Sequence, residues 1–214
     1  MQNSIEAPLD SIDLLPVNYF PLEFDCHYCS GGKLSGKYKI PSSSGLLCEE
    51  EFAAVSAGWN EEGISFVVSV QQPFKQSVFP DHEYGDSVEI FLDTRDIKSA
   101  GFNHRFCHHF VFLGEPVEGQ QALETTRFRT EDVHTLCDPG ELEVKTTRKR
   151  SSYEVSIRIP SPSLHGYDSG QFDRLGFTYR INRYGGAAQH FSLHASEYKI
   201  DQNPALWSTM RLVR

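Results

Sequence analysis

The sequence predicts an all-β protein, an antiparallel, jelly-roll-like β-sandwich of about ten strands with little helix. Three observations carry that reading. Apolar residues recur with period two in most segments, which marks half-buried strands, while helical periodicity is scarce. Fifteen Phe, nine Tyr and two Trp supply the aromatic content of a sheet-rich core. Turn-forming residues return at the spacing a sandwich or barrel requires.

Residues 52–59 and 64–70 read as a hairpin joined through Asn60-Glu61-Glu62-Gly63. Residues 87–93 form the next strand, with Val88, Ile90 and Leu92 on one face and Glu89 and Phe91 on the other. Residues 106–113 are almost wholly apolar or His, so both faces of that strand are expected to be covered. A second hairpin pairs 142–147 with 153–159 across a basic tip at 147–151. Two prolines then stop the strand, and a short helical turn is expected near 162–166. Residues 174–182 place Leu175, Phe177, Tyr179 and Ile181 on one face, and 207–213 close the sheet. The segment before residue 48 is expected to hold strands and loops, with 34–46 mostly exposed loop. No linker or repeat divides the chain, so 1–214 is expected to be one domain.

A formal charge of −9 argues against a nucleic-acid surface, because such binding neutralises phosphates with Lys and Arg. No apolar run approaches the ~20 residues of a membrane helix. The segment MQNSIEAPLDSIDLLPVNYF lacks the basic start and apolar stretch of a leader, and the five cysteines are odd in number. Both features suggest a cytoplasmic chain with reduced thiols.

Several motifs were weighed for chemistry. Gly31 to Lys37 matches the Gly-x4-Gly-Lys part of a phosphate loop, but Tyr38 stands where Ser or Thr must hold magnesium. Cys26-His27-Tyr28-Cys29 has zinc-compatible spacing but no second Cys pair. The segment 104–137, with His104, Cys107, His109, His134 and Cys137, offers a less favoured alternative, a metal-dependent enzyme. Asp86 and Glu89, three positions apart on a strand, point to opposite faces and do not form an acid–base pair. No catalytic residue emerges. Asp93 and Asp96 together supply oxygens suited to calcium, a hard cation. Arg180, Asn182, Arg183, Tyr184 and Trp207 surround a Gly-rich loop with the aromatic faces and planar donors that suit sugar hydroxyls.

The order WNEEGISFVVSVQQP, then YGDSVEIFLDTRD, then YEVSIRIP, then RLGF running to Asn182-Arg183, and the final strand around Trp207 resembles the carbohydrate-binding modules of family 9 and the related DOMON-type sandwiches. The match spans most of 50–214. That resemblance implies a non-catalytic sandwich that binds sugar ends, often with calcium. Carried over by position, it implies Arg95, Asn182 and Trp207 as ligand residues, with Tyr84 where members often have Trp before the Asp. The expected ligand set is therefore Tyr84, Arg95, Arg180, Asn182, Arg183, Tyr184 and Trp207, with carbohydrate as partner. An accessory sandwich that binds another protein instead of sugar is the alternative.

Overall fold

The computed structural model describes residues 21–31, 33–193 and 198–214. The segment read above for a leader, and Gly32 of the phosphate-loop pattern, lie outside the described residues. The strands are β1 (Glu23–Tyr28), β2 (Ala53–Asn60), β3 (Gly63–Val70), β4 (Ser87–Asp93), β5 (Cys107–Val117), β6 (Gln120–Glu124), β7 (Glu143–Arg148), β8 (Tyr153–Pro160), β9 (Arg174–Asn182), β10 (Gln189–His190) and β11 (Ser208–Val213). They run side by side in the order β6-β5-β4-β9-β11-β1-β2-β3-β8-β7, with the short β10 paired to β9. β1 lies parallel to both β11 and β2, and the other neighbouring strands among the described residues are antiparallel.

The sheet folds over until β7 returns alongside β5 and β6, so one continuous sheet supplies both layers of a nearly closed sandwich. The inner faces meet through aromatic rings. Phe66 of β3 stacks on Phe177 of β9, with centroids 5.7 Å apart and planes 7° apart. Phe24 of β1 meets Phe177 edge-on at 5.5 Å. Each such side chain, fully removed from water, contributes roughly 1.5–3 kcal/mol.

The predicted strands are present, and Val88, Ile90 and Leu92 face the core as their alternation requires. The hairpin at Asn60–Gly63 closes because Gly63 adopts φ +135°, where an added Cβ would sit 2.2 Å from the Ile159 carbonyl oxygen. The expected turn after the prolines is a 3-10 turn at Ser161–Ser163. The phosphate-loop pattern leads into a 3-10 turn at Gly36–Tyr38 rather than a helix. One α-helical turn, Ser44–Leu47, interrupts the expected loop.

β4 is buried at all seven positions, including the polar ones. Its inner residues meet the sandwich core. Its outer face is covered by a second, smaller cluster in which Leu193, Ile200 and Trp207 pack on Phe91 and Cys107. A strand covered on both faces needs partners for every polar side chain it carries. That requirement shapes the site.

Candidate functional site: a buried Glu89 beneath two exposed tyrosines

Glu89 points outward from β4, and the register of β4 against β9 sets it opposite Arg180, with Ser87 opposite Asn182. On the other side, β5 contributes His109, opposite Phe91. The Glu89 carboxylate is fully enclosed and accepts from all three neighbours. Arg180 Nε donates to Oε1 at 2.6 Å and Nη2 to Oε2 at 2.8 Å, a fork of charge-assisted bonds. Asn182 Nδ2 donates to Oε1 at 2.6 Å, and His109 Nε2 lies 2.8 Å from Oε2. Burial by itself would raise the Glu89 carboxyl, but the bonds from His109 and Arg180, with the His82 ring close by, outweigh it and hold the group well below the usual range.

Above this buried floor the groups become accessible. Arg180 extends to Glu83 at 2.7 Å. His82 Nδ1 contacts the Pro80 carbonyl at 3.1 Å. Its Nε2 lies 3.4 Å from Glu89 Oε2, is buried, and has no aligned hydrogen-bond partner. Tyr84 ends the 3-10 turn that carries His82 and Glu83, and Tyr184 follows the end of β9; they are 73% and 43% exposed. Asp86 ties their loops together: Oδ1 accepts from the Tyr184 amide, and Oδ2 accepts from the amides of Lys75 and Gln76. The segments that hold this fixed cluster of both signs also carry two exposed aromatic residues. Chemically it suits a neutral polyhydroxylated ligand with an apolar face.

No protein-family model and no curated protein matches the chain. Among solved structures, a family 9 carbohydrate-binding module from Caldicellulosiruptor kristjanssonii in complex with cellotriose aligns with TM-score 0.60 at 17% identity, covering 89% of this chain and 93% of that one. The module in complex with glucose aligns with TM-score 0.60 at 18% identity, covering 89% and 95%. A protein from Bacteroides uniformis ATCC 8492 aligns with TM-score 0.58 at 11% identity over 90% and 100%. The fold is that of a family 9 carbohydrate-binding module.

Within this family 9 fold, Tyr84, Arg180, Asn182 and Tyr184 gather at one end of β4 and β9. Three other expected ligand residues have different work. Trp207 is corrected to a core residue: it is 2% exposed, its Nε1 donates to the Ile200 carbonyl at 2.8 Å, and its ring packs 5.8 Å from Phe91. Arg95 is corrected to a clamp at the far end of β4. Its guanidinium lies between the rings of Phe106, at 4.5 Å, and Phe172, at 3.7 Å, and donates to the Thr94 and Gly166 carbonyls. Arg183 is engaged by Glu50 at 2.7 Å and lies over Phe52 at 4.5 Å, so it braces the loop of Tyr184.

The carboxylates of Asp93 and Asp96, expected to suit calcium, have partners within the chain. The two Asp93 oxygens accept from the amides of Arg95 and Ile97, capping the turn. Asp96 has the Lys98 ammonium at 2.6 Å and accepts from Thr209 Oγ1 at 2.7 Å. His104, Cys107, His109, His134 and Cys137 do not come together as one metal site either. His104 and Cys107 join Asp93, and His109 joins Glu89. His134 joins His108 and Glu124. Strand alternation causes this separation, because it turns His108 inward and its neighbours outward. Burial raises the Cys107 thiol far above its ordinary value, with the Asp93 charge adding to the effect, so it is no nucleophile.

Glu89, His82 and His109 were not singled out as ligand residues in the sequence. The available signal was a charged residue inside an apolar strand, between Val88 and Ile90, which demands a polar partner on the same face.

Proposed function

We propose that the protein is a non-catalytic carbohydrate-binding protein whose site is the Glu89 platform with Tyr84 and Tyr184 at its rim. The observation that carries this reading is the junction of a fully hydrogen-bonded, buried Glu89–Arg180–Asn182 cluster with two exposed tyrosines. Buried polar groups held in one geometry provide orientation, and exposed rings provide area against the apolar side of a pyranose. His82 Nε2, buried and without an aligned partner, is the atom on which a sugar hydroxyl would complete the network. The family 9 modules with this fold are recorded with glucose and cellotriose, which supports glucose-type chain ends as the first ligands to test.

The test is a glycan array with and without calcium, followed by calorimetric titration with glucose and cello-oligosaccharides. Binding that is lost in Tyr84→Ala and Tyr184→Ala, with the fold intact, supports the reading. Folded protein that binds no glycan sinks it and favours the accessory protein-binding alternative.

A further inference from the structure

A second cluster lies on the inner side of the same sheet, away from the Glu89 platform. His108 registers opposite Leu92 and points into the sandwich, and Glu124 at the end of β6 registers opposite Phe110 on that face. His134 arrives from the following loop. Glu124 Oε1 lies 2.8 Å from His108 Nδ1 and 2.8 Å from His134 Nε2. The side chains of His108 and Glu124 are fully enclosed, and that of His134 is 2% exposed.

Hydrogen-bond accounting singles this cluster out. His134 Nδ1 is 2.7 Å from the Arg105 carbonyl oxygen, which only accepts, so Nδ1 carries the proton. His108 Nε2 faces the His165 carbonyl at the longer distance of 3.5 Å. The neutral His134 ring therefore directs a bare Nε2 at Glu124 Oε1, an oxygen that also faces His108 Nδ1 and accepts from Thr126 Oγ1 at 2.8 Å. Protonating both rings would place two imidazolium ions, with centroids 4.4 Å apart, against a single buried carboxylate. That leaves an uncompensated charge away from water. A cation shared by the three groups removes the conflict. Ligating histidines typically donate their second ring N–H to a backbone carbonyl or carboxylate, as His134 does here.

The described residues hold two other such triads, and each is less open to a cation. His104 Nδ1 accepts from the Phe106 amide, so Nε2 carries the proton and faces Asp93, and that set is self-satisfied. The Glu89 set already contains the Arg180 guanidinium, which repels a cation.

We propose that His108, His134 and Glu124 form a binding site for a divalent transition metal ion of the zinc class. The three donor atoms lie within 4.8 Å of one another, and two imidazoles with one glutamate are an established zinc donor set. A pocket of about 410 Å³, lined by His134, Cys137, Ser163 and His165, borders the cluster on its His134 side. Bound there, the ion fastens the loop carrying His134 to the edge formed by β5 and β6.

The test uses the full chain, stripped with a chelator and then titrated with zinc by calorimetry. Cobalt(II) absorption reports the geometry of the same site. The expected result is about one equivalent of metal and a rise in the thermal unfolding midpoint. His134→Ala, on a loop, should lose affinity by more than the roughly 10–100-fold that removal of an outer partner costs. Glu124→Gln should do the same, whereas Cys26→Ser with Cys29→Ser should leave binding unchanged. Folded wild-type protein that takes up no zinc would overturn the proposal. So would uptake that survives His134→Ala, or uptake that disappears with the Cys26 and Cys29 substitutions.

Discussion

Asp86 accepts the backbone N–H of Tyr184 at 3.1 Å, and this one bond joins the loop that carries Tyr84 to the loop that carries Tyr184. The same carboxylate takes the Lys75 and Gln76 amides at 2.6 and 3.0 Å. The two rim tyrosines are thus positioned through a residue that itself faces away from Glu89. Asp86→Ala strands three amides, each costing about 1–3 kcal/mol where it stays buried. The expected outcome is a lower urea midpoint together with weaker glycan binding.

Tyr84→Ala and Tyr184→Ala act differently. Both residues are exposed, so urea denaturation should show little change in stability. Each truncation is expected to cost about 1–2 kcal/mol of glycan binding, a factor of roughly 5–30. Tyr84→Phe, which keeps the ring, should retain most of the affinity in the same calorimetric assay.

Glu89 sits on the boundary between stability and recognition. Glu89→Ala leaves the Arg180 guanidinium, 12% exposed, without its buried partner. Breaking a buried pair in this way costs about 3–5 kcal/mol. Denaturant unfolding followed by circular dichroism checks it.

The pH dependence follows from the same carboxylate. Its folded value lies well below the ordinary 4.5, so its contribution is fully present above that value. It is lost as pH falls through the lower folded value. His82 has the opposite sign. Burial lowers its imidazole, but the nearby Glu89 carboxylate raises it more, above the ordinary 6.5. Its contribution is present below 6.5 and fades as pH rises through the folded value. Stability measured by urea from pH 7 downward should fall in acid, and Glu89→Gln should flatten that fall.

Trp207 gives an optical check on the fold. Both tryptophans are enclosed, Trp59 at 3% and Trp207 at 2% exposure. Intrinsic fluorescence should resist quenching by iodide and report unfolding rather than direct ring stacking on glycans. Trp207→Ala, which empties the smaller cluster over Phe91, is expected to cost about 3–5 kcal/mol in a denaturant melt.

Strands and their inner faces are legible in the residue order alone. Val88-x-Ile90-x-Leu92 and Leu175-x-Phe177-x-Tyr179-x-Ile181 each alternate with period two, and a slip of one residue would turn every apolar side chain to the wrong face. Planar donors and an aromatic beside a Gly-rich turn brought Arg180, Asn182 and Tyr184 into the candidate set, and Tyr84 entered through the resemblance alone. Which side chains meet depends on how the strands pair. Glu89, Arg180 and His109 lie far apart in sequence, and their union depends on β4 pairing with β9 on one side and β5 on the other. The fates of Trp207 and Arg95 were likewise hidden. A tryptophan that plugs a core and one that stacks on a sugar read alike until the segment covering the outer face of β4 is placed. The inward turn of His108 was set by strand alternation, but its meeting with His134 required the loop after β6 to fold back onto the sheet. Local periodicity acts within a strand, whereas charge pairing and ring burial act between strands, and the second is fixed only when the sheet closes.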